Sequence, residues 1–106
     1  MGVADIILDP GFGFGKTLDD NYRVLAHMER LHVLGQPVLV GVSRKSMIYR
    51  LLEVTPADAL NGTTAVHTVA LMKGAHLLRV HDVLPAVETI HVVERMKRMT
   101  KEVKTE

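Results

Sequence analysis

Three short apolar runs recur along the sequence, and a polar loop and a helical pattern follow each of them. The runs occupy residues 6–8, 38–42 and 75–80 and begin roughly 35 residues apart. Short runs of β-branched and aliphatic residues are typical of strands that are buried on both faces. Buried strands that alternate with helices require a parallel sheet, right-handed crossovers and sites at the carboxyl ends of the strands. Three strands alone cannot close a barrel, which needs about eight.

Helical periodicity follows each run. Apolar residues at three- and four-residue steps predict an amphipathic helix from residue 18 to about residue 31, which ends near Gly35. Residues 47–52 predict a short helical segment, and the small apolar residues at 63–73 predict a helix that packs on several sides. Between these two, Asn61 and Gly62 predict a tight turn. Pro85 opens the last helix.

The length and composition of the chain exclude several classes of protein and of binding site. The 106 residues correspond to one domain, with a polar tail at residues 99–106 that we expect to fray. A net charge of +1 gives no basis for nucleic-acid binding. The absence of cysteine excludes disulfides and thiolate metal sites. Without a signal-like leader or an apolar run near the roughly 20 residues of a membrane span, we expect a cytoplasmic protein with no membrane contact.

The six histidines do not form a recognisable metal motif. His27 and His32 lie five positions apart on the predicted helix and therefore face apart, and the sequence contains no HExxH spacing. We therefore predict no metal ligands in the chain.

The first polar loop, at residues 9–16, has both a functional and a structural interpretation. Pro10 ends the strand at Asp9, and a carboxylate at the mouth of a buried strand needs a protein donor or a ligand. Three alternating glycines permit positive φ and close approach of another group. Neither nucleotide motif is present, because Pro10 replaces the first Walker glycine and the glycines fall as GxGxG. The structural alternative is a βα turn, with phenylalanines against the core and Lys16 in solvent.

The three strand ends together predict a binding site. Arg79 and His81 are two residues apart and point the same way on an extended strand, where they suit a phosphate or pyrophosphate. A carboxylate such as Asp9 accepts hydrogen bonds from an amide-like edge, and Lys45 adds a donor. Phenylalanines and Ser46 alongside favour a flat ring that carries an anion. The structural alternatives are an ion pair local to residues 79–82 and a solvated lysine.

Longer motifs around these strand ends resemble one enzyme family. LDPGFGFGK at residues 8–16, LVGVSRKSMI at 39–48 and GAHLLRVHDV at 74–83 are similar to dihydropteroate synthase in order and spacing, up to about residue 98. The resemblance implies an α/β fold in which this chain forms three consecutive βα units, six to eight, of a TIM (β/α)8 barrel. It also implies a folate-biosynthesis transferase that joins 6-hydroxymethyl-7,8-dihydropterin pyrophosphate to para-aminobenzoate and is inhibited by sulfonamides.

The resemblance implies a role for each matching residue around the two rings. Asp9 is similar to the aspartate that hydrogen-bonds the pterin, and Gly41 to the residue that backs it. Lys45 resembles the lysine that contacts the pterin edge and borders the aminobenzoate site. Phe14 and Ser46 resemble residues that line the aminobenzoate pocket.

The resemblance also implies how the pyrophosphate is held and released. Arg79 resembles the arginine that packs on the pterin and, together with His81, holds the pyrophosphate. Lys45, Arg79 and His81 are therefore the expected catalytic residues. Pyrophosphate departs first with the assistance of Mg²⁺, and the aromatic amine then attacks the cation delocalised into the pterin.

The resemblance covers only the C-terminal portion of the family. Five strands are absent, and with them the family's asparagine near the metal and further pterin contacts. We therefore expect a truncated fragment that is inactive alone. The alternatives are a fragment that binds pterin or phosphate without catalysis, and a self-associating half-barrel scaffold. Open sheet edges lead us to expect a homo-oligomer or a strand-exchanged assembly.

Overall fold

A computed structural model describes residues 7–13 and 16–105, with side chains as far as residue 100. In this part of the chain, α-helices and 3₁₀ helices pack around a small parallel sheet. In chain order the elements are α1 (Leu18–Ala26), a 3₁₀ helix (Met28–Leu34), β1 (Leu39–Val40), α2 (Ser46–Leu52), a 3₁₀ helix (Pro56–Asp58), α3 (Leu60–Met72), β2 (Leu77–Leu78) and α4 (Val83–Thr105). No helix within the described ranges has the length and apolar character needed to cross a membrane.

The end of the first predicted strand, β1 and β2 lie side by side and run parallel. Leu8 forms a bridge with Val38, and the Leu39 N–H donates to the Leu8 carbonyl at 2.8 Å. On the other side of β1, Leu39 pairs with Leu77. The order of the strands in space therefore follows their order in the sequence, and the parallel pairing that the sequence predicts is confirmed.

The regular ladder is shorter than the sequence predicts. The runs at 38–42 and 75–80 reduce to two-residue strands, although the Arg79 N–H still donates to the Val40 carbonyl at 2.9 Å. The chain leaves β1 in a turn that the Lys45 N–H closes onto the Val42 carbonyl at 3.0 Å. Because the Val42 carbonyl and the Lys45 N–H pair within this turn, they do not extend the ladder between the strands.

The first predicted helix is divided at His27. α1 ends at Ala26, and the chain tightens into a 3₁₀ helix in which the Arg30 N–H donates to the His27 carbonyl at 3.0 Å. Such tightening is common at the end of an α-helix. Gly35 has φ 68° in the left-handed region, so the predicted helical stop is confirmed.

The prediction of a tight turn at Asn61 and Gly62 is wrong, because both residues lie in the first turn of α3. An added Cβ at Gly62 would lie 2.6 Å from both Ile48 Cγ2 and Leu52 Cδ1 of α2. Glycine is therefore needed here for close packing of two helices and not for a special φ.

The core lies between the sheet and the helices. Its most deeply buried large side chains come from the first polar loop at residues 9–16 (the glycine loop), from β1 with the residues that flank it, and from α2: Phe12, Val38, Val40, Val42, Met47 and Ile48. The Tyr22 hydroxyl of α1 donates to the Met47 carbonyl at 2.7 Å, and burial raises the pKa of Tyr22. This bond fixes α1 against α2.

The last helix begins two residues before Pro85 and continues to Thr105. Ala86 and Val93 of this helix are buried, whereas Ile90 and Met96 are more than a third exposed at 37% and 43%. Helical backbone therefore extends through most of residues 99–106. That this segment frays in solution stays a prediction.

Candidate functional site

The loop after the first strand is held by its own polar groups. Asp9 Oδ1 accepts a hydrogen bond from the Gly11 N–H at 2.8 Å, and Lys16 Nζ donates to the Gly11 carbonyl at 2.9 Å. Lys16 is therefore hydrogen-bonded to the loop, whereas the structural alternative placed it in solvent. Gly11 and Gly13 have φ 76° and 98°, which only glycine adopts readily. Phe12 is buried and belongs to the core.

A buried asparagine joins this loop to α1. Asn21 is 2% exposed, and both ends of its amide are bonded: Oδ1 accepts from the Gly13 N–H at 2.8 Å, and Nδ2 donates to the Thr17 carbonyl at 3.0 Å. Thr17 caps α1, because its Oγ1 accepts from the Asp20 N–H at 3.1 Å. The start of α1 therefore holds the described part of the glycine loop at Gly13.

Lys45 crosses to the glycine loop from the turn after β1. Its Nζ donates to the Phe12 carbonyl at 3.0 Å, so it is not simply a solvated side chain. Ser46 follows as the first residue of α2 and is partly exposed. Phe14 lies outside the described residues, and its predicted place beside an aminobenzoate stays a prediction.

The Arg79 guanidinium lies across Gly41 at the end of β1. A Cβ at Gly41 would lie 2.7 Å from Arg79 Nη2 and 3.0 Å from Nε, so only glycine leaves this space open. Nη2 also lies 3.5 Å from Asp9 Oδ2, in an ion pair whose two side chains are both substantially exposed. Solvent weakens such a pair, which can therefore open to admit a ligand.

His81 is held against the turn after β1 by Ser43. The Ser43 hydroxyl accepts a hydrogen bond from the His81 backbone N–H at 3.2 Å and lies 2.9 Å from its ring Nδ1. A pocket of about 300 Å³ opens at this end of the strands. Six residues line this pocket: Gly41, Ser43, Lys45, Arg79, Val80 and His81. Lys45, Arg79 and His81 are the three residues predicted as catalytic.

The predicted alternative of an ion pair local to residues 79–82 is wrong. Asp82 pairs with Arg44 of the neighbouring loop, where Nε lies 2.9 Å from Oδ2, while Arg79 faces Asp9. Hydrogen bonds from Arg44 hold the pKa of the Asp82 carboxyl below its ordinary value. Arg44 itself has a left-handed backbone with φ 54°. Asp82 is therefore engaged in holding two loops together.

Side-chain contacts continue the register of the sheet beyond its backbone ladder. Ser43 contacts His81, and Arg44 contacts Asp82, so that each pair is 38 residues apart in the sequence. The hydrogen bond from Val38 to His76, at the opposite end of the strands, has the same offset. Sequence reasoning missed Ser43 and Arg44. The common offset is the signal that would identify them once the strand register is known.

The pocket offers donors and positive charge for an anion. Lys45 and Arg79 bring positive charge, and His81 adds a ring nitrogen, whereas Asp9 brings a carboxylate to this group through its ion pair with Arg79. Mg²⁺ prefers several oxygen ligands. Among the described residues no three His, Asp or Glu side chains are placed to hold a metal ion, so these side chains alone do not form a complete Mg²⁺ site.

The sequence profile described as Pterin binding enzyme matches residues 1–81. The chain belongs to this family. Among the members of this family, dihydropteroate synthase of Escherichia coli strain K12 is 53% identical to the chain over 95 residues. The aligned region covers 88% of this chain and 34% of that relative. The chain is 40% identical over 92 residues to dihydropteroate synthase of Bacillus subtilis strain 168, which covers 87% of this chain and 32% of that relative. The chain thus spans about a third of these relatives.

Solved structures of dihydropteroate synthase share the fold of this chain. The Yersinia pestis enzyme with a pterine-sulfa conjugate superposes with a TM-score of 0.88 at 47% identity, covering 90% of this chain and 37% of that one. The Thermus thermophilus enzyme in complex with 4-aminobenzoate gives 0.84 at 47% identity, covering 91% of this chain and 40% of that one. The predicted resemblance and the predicted α/β fold with parallel strands and flanking helices are confirmed.

Proposed function

We propose that these 106 residues supply the C-terminal part of a dihydropteroate synthase site. The reaction is the condensation of 6-hydroxymethyl-7,8-dihydropterin pyrophosphate with para-aminobenzoate, a transferase step of folate biosynthesis. The observation that carries the proposal is the pocket lined by Lys45, Arg79 and His81 at the carboxyl ends of parallel strands. This is the edge at which α/β proteins bind ligands.

The pterin lies between the glycine loop and the end of β1. Asp9 is placed to accept hydrogen bonds from the ring, because a carboxylate has more lone pairs than its contacts to Gly11 and Arg79 occupy. Gly41 backs the ring and leaves room for the Arg79 guanidinium to pack on it. Lys45 contacts the pterin edge from the glycine-loop side.

The pyrophosphate is held by Arg79 and His81. Ionisation at the pterin methylene leaves a cation delocalised into the ring and places the electron pair on the departing pyrophosphate. Cationic donors that are already aimed at the leaving group stabilise the charge that develops there. Arg79 and Lys45 supply such cationic donors, and His81 adds a ring nitrogen beside them.

The aminobenzoate lies beside Lys45 and Ser46, at the place where a sulfonamide also competes. Phe14, which lies outside the described residues, is assigned to the same pocket by the family resemblance alone. The aromatic amine attacks the methylene carbon once pyrophosphate has gone, so the protein acts on this substrate mainly by positioning it. We further propose a cytoplasmic location for this reaction. Because the chain spans about a third of its relatives, we expect it to be inactive alone.

Two measurements test this function. An assay of 7,8-dihydropteroate formation by the purified chain is expected to show no turnover, and robust turnover would contradict the proposed incompleteness. Calorimetry is then expected to show binding of the pterin pyrophosphate, and Arg79→Ala should weaken it roughly 10- to 100-fold, as for loss of a charged hydrogen bond of about 1.5–3 kcal/mol.

Two further variants make the binding test specific. Gly41→Ala should displace the flexible end of Arg79 and weaken binding without unfolding the chain, because the clash falls on mobile side-chain atoms. Arg50→Ala removes the same charge from an exposed site on α2 and should bind as the parent chain does. No binding heat in any variant, or equal losses in Arg79→Ala and Arg50→Ala, would refute the proposed site.

A second candidate function is a self-associating scaffold. The sheet edge and the start of α4 expose large apolar side chains among the described residues, including Leu77 at 43%, Val83 at 65% and Leu84 at 66%. A second copy that pairs with the open edges would cover them. Light scattering at high protein concentration tests this, and a well-behaved monomer would remove the scaffold hypothesis.

A further inference from the structure

The hydroxyl of Ser43 is the link between the turn after β1 and the ring of His81. Ser43 lines the pocket but is only 5% exposed, so little of its surface is open to water. Its oxygen accepts the His81 backbone N–H at 3.2 Å and lies 2.9 Å from the ring nitrogen Nδ1. One buried oxygen thus contacts both the backbone and the ring of the same histidine.

The number of protons at this contact determines whether the Ser43 hydroxyl or His81 Nδ1 donates the hydrogen bond. A hydroxyl has one proton to donate and two lone pairs to accept with, and the backbone N–H uses one lone pair. If Nδ1 also carried a proton, the hydroxyl would receive two N–H groups and would need another acceptor for its own proton. The hydrogen bonds made by the described residues provide no such acceptor, and a buried donor left unpaired is unfavourable.

We propose that Ser43 is a positioning residue that fixes the neutral His81 ring in the tautomer with its proton on Nε2. The hydroxyl then donates to Nδ1, and Nε2–H lies on the side of the ring that faces away from Ser43. This assignment deepens the proposed function and rests on it for the identity of the anion.

The tautomer decides what the pocket presents to a negative ligand. An unprotonated Nε2 would direct a lone pair at the pyrophosphate oxygens, whereas Nε2–H donates a hydrogen bond to them. Protonation of Nδ1 leaves Nε2–H in place, so the donor is present in both charge states of the ring. Ser43 thereby makes the neutral His81 ring a hydrogen-bond donor to an anion.

Nitrogen-15 NMR of the chain labelled at histidine tests the tautomer without any ligand. In alkaline solution, where imidazole rings are neutral, long-range spectra are expected to show a single His81 tautomer with Nδ1 unprotonated and hydrogen-bonded. His81→Gln identifies the signal, and the exposed His91 of α4 serves as an internal reference for a solvated ring. A dominant Nδ1–H tautomer at His81 would overturn the proposal.

Two variants separate positioning from simple stability. Ser43→Ala should shift the His81 signals towards those of His91, while Ser43→Thr keeps the hydroxyl and should restore the parent spectrum. With inorganic pyrophosphate as the probe, Ser43→Ala should weaken binding about 3- to 10-fold, as for the loss of one hydrogen bond. An unchanged His81 spectrum in Ser43→Ala overturns the inference, whereas a changed spectrum without pyrophosphate binding to the parent chain overturns only the proposed function.

Discussion

Arg44 and Asp82 form a two-point ion pair between the loops that follow β1 and β2. Arg44 Nε lies 2.9 Å from Asp82 Oδ2, and Nη2 lies 3.1 Å from Oδ1. The third guanidinium nitrogen donates to the carbonyls of Pro56 and Ala57 at 2.8 and 2.9 Å. One side chain therefore joins three segments directly beside Lys45.

Asp82→Asn is expected to lower the melting temperature at neutral pH. Arg44 lowers the pKa of Asp82 in the folded chain, so the stabilisation is fully present above the ordinary carboxyl pKa of about 4. It is lost as the pH falls through the lowered pKa, where the folded carboxyl also becomes protonated. Thermal unfolding followed by circular dichroism should therefore show a difference between parent and variant that shrinks in acid.

Glu88→Gln provides the control for this pH dependence, because Glu88 is an exposed carboxylate on α4. It should unfold at nearly the parent temperature at every pH. An Asp82→Asn variant whose deficit stays constant from neutral pH to acid would show that the ion pair is not the source of its stability.

His67→Leu is expected to remove part of the acid sensitivity of the chain. His67 is 2% exposed, its Nε2 has no hydrogen-bond partner among the described residues, and burial lowers its pKa. The unfolded chain therefore binds the proton more readily, and the free energy of unfolding falls as the pH drops below about 6.5. Urea titrations at several pH values should show a flatter dependence in the variant.

The same variant should be more stable at neutral pH, by about 1 kcal/mol, because an unpaired buried polar atom is replaced by an apolar one. His91→Leu on the exposed face of α4 is the matched control and should leave the pH dependence unchanged. Equal pH dependence in His67→Leu and the parent would contradict this assignment.

Gly62→Ala is expected to destabilise the chain although alanine is the better helix former. The gain in helix propensity is about 1 kcal/mol. Against it, the new Cβ would lie 2.6 Å from Ile48 Cγ2, which is buried, and overpacking of this kind costs about 1–3 kcal/mol. Chemical denaturation should give a net loss of about 1 kcal/mol.

The neighbouring variant Asn61→Ala tests propensity alone, since Asn61 is exposed in the same turn. It should be neutral or slightly stabilising, by a few tenths of a kcal/mol. A stabilising Gly62→Ala would mean that α2 and α3 separate easily.

Asn21→Ala is expected to loosen the glycine loop. It removes the acceptor for the Gly13 N–H and the donor to the Thr17 carbonyl, at a cost of about 1–3 kcal/mol. Hydrogen exchange at the Gly13 amide should accelerate more than exchange within α3. Asn21→Asp keeps an oxygen for Gly13 and should protect that amide better; equal exchange in both variants would show that Asn21 does not hold the loop.

The convergence of the strand ends could be predicted from the sequence, because it follows from topology alone. Asp9, Lys45, Arg79 and His81 each come at or just after the end of an apolar run, and parallel strands bring such positions to one edge. The structure brings these four side chains within reach of one another around the glycine loop and the pocket. Their roles in catalysis stay predictions.

Other features depend on distances that periodicity does not contain. Asn61 and Gly62 match a turn pattern, but the requirement for glycine at position 62 comes from the nearness of α2. The sequence alone does not predict the ion-pair partner of Asp82, because both Arg44 and Arg79 follow strands that end near it. The register between β1 and β2 places Arg44 opposite Asp82, and the two side chains form an ion pair.

That register has an evolutionary consequence. Since the contacts of Ser43 with His81 and of Arg44 with Asp82 preserve the strand offset, an insertion or deletion in either loop would shift every later contact on that side by one residue. Changes in length are tolerable away from these loops, for example around the exposed Gly35, where an added Cβ would meet no atom within 4 Å. We expect homologues to vary there while the two loops keep their lengths.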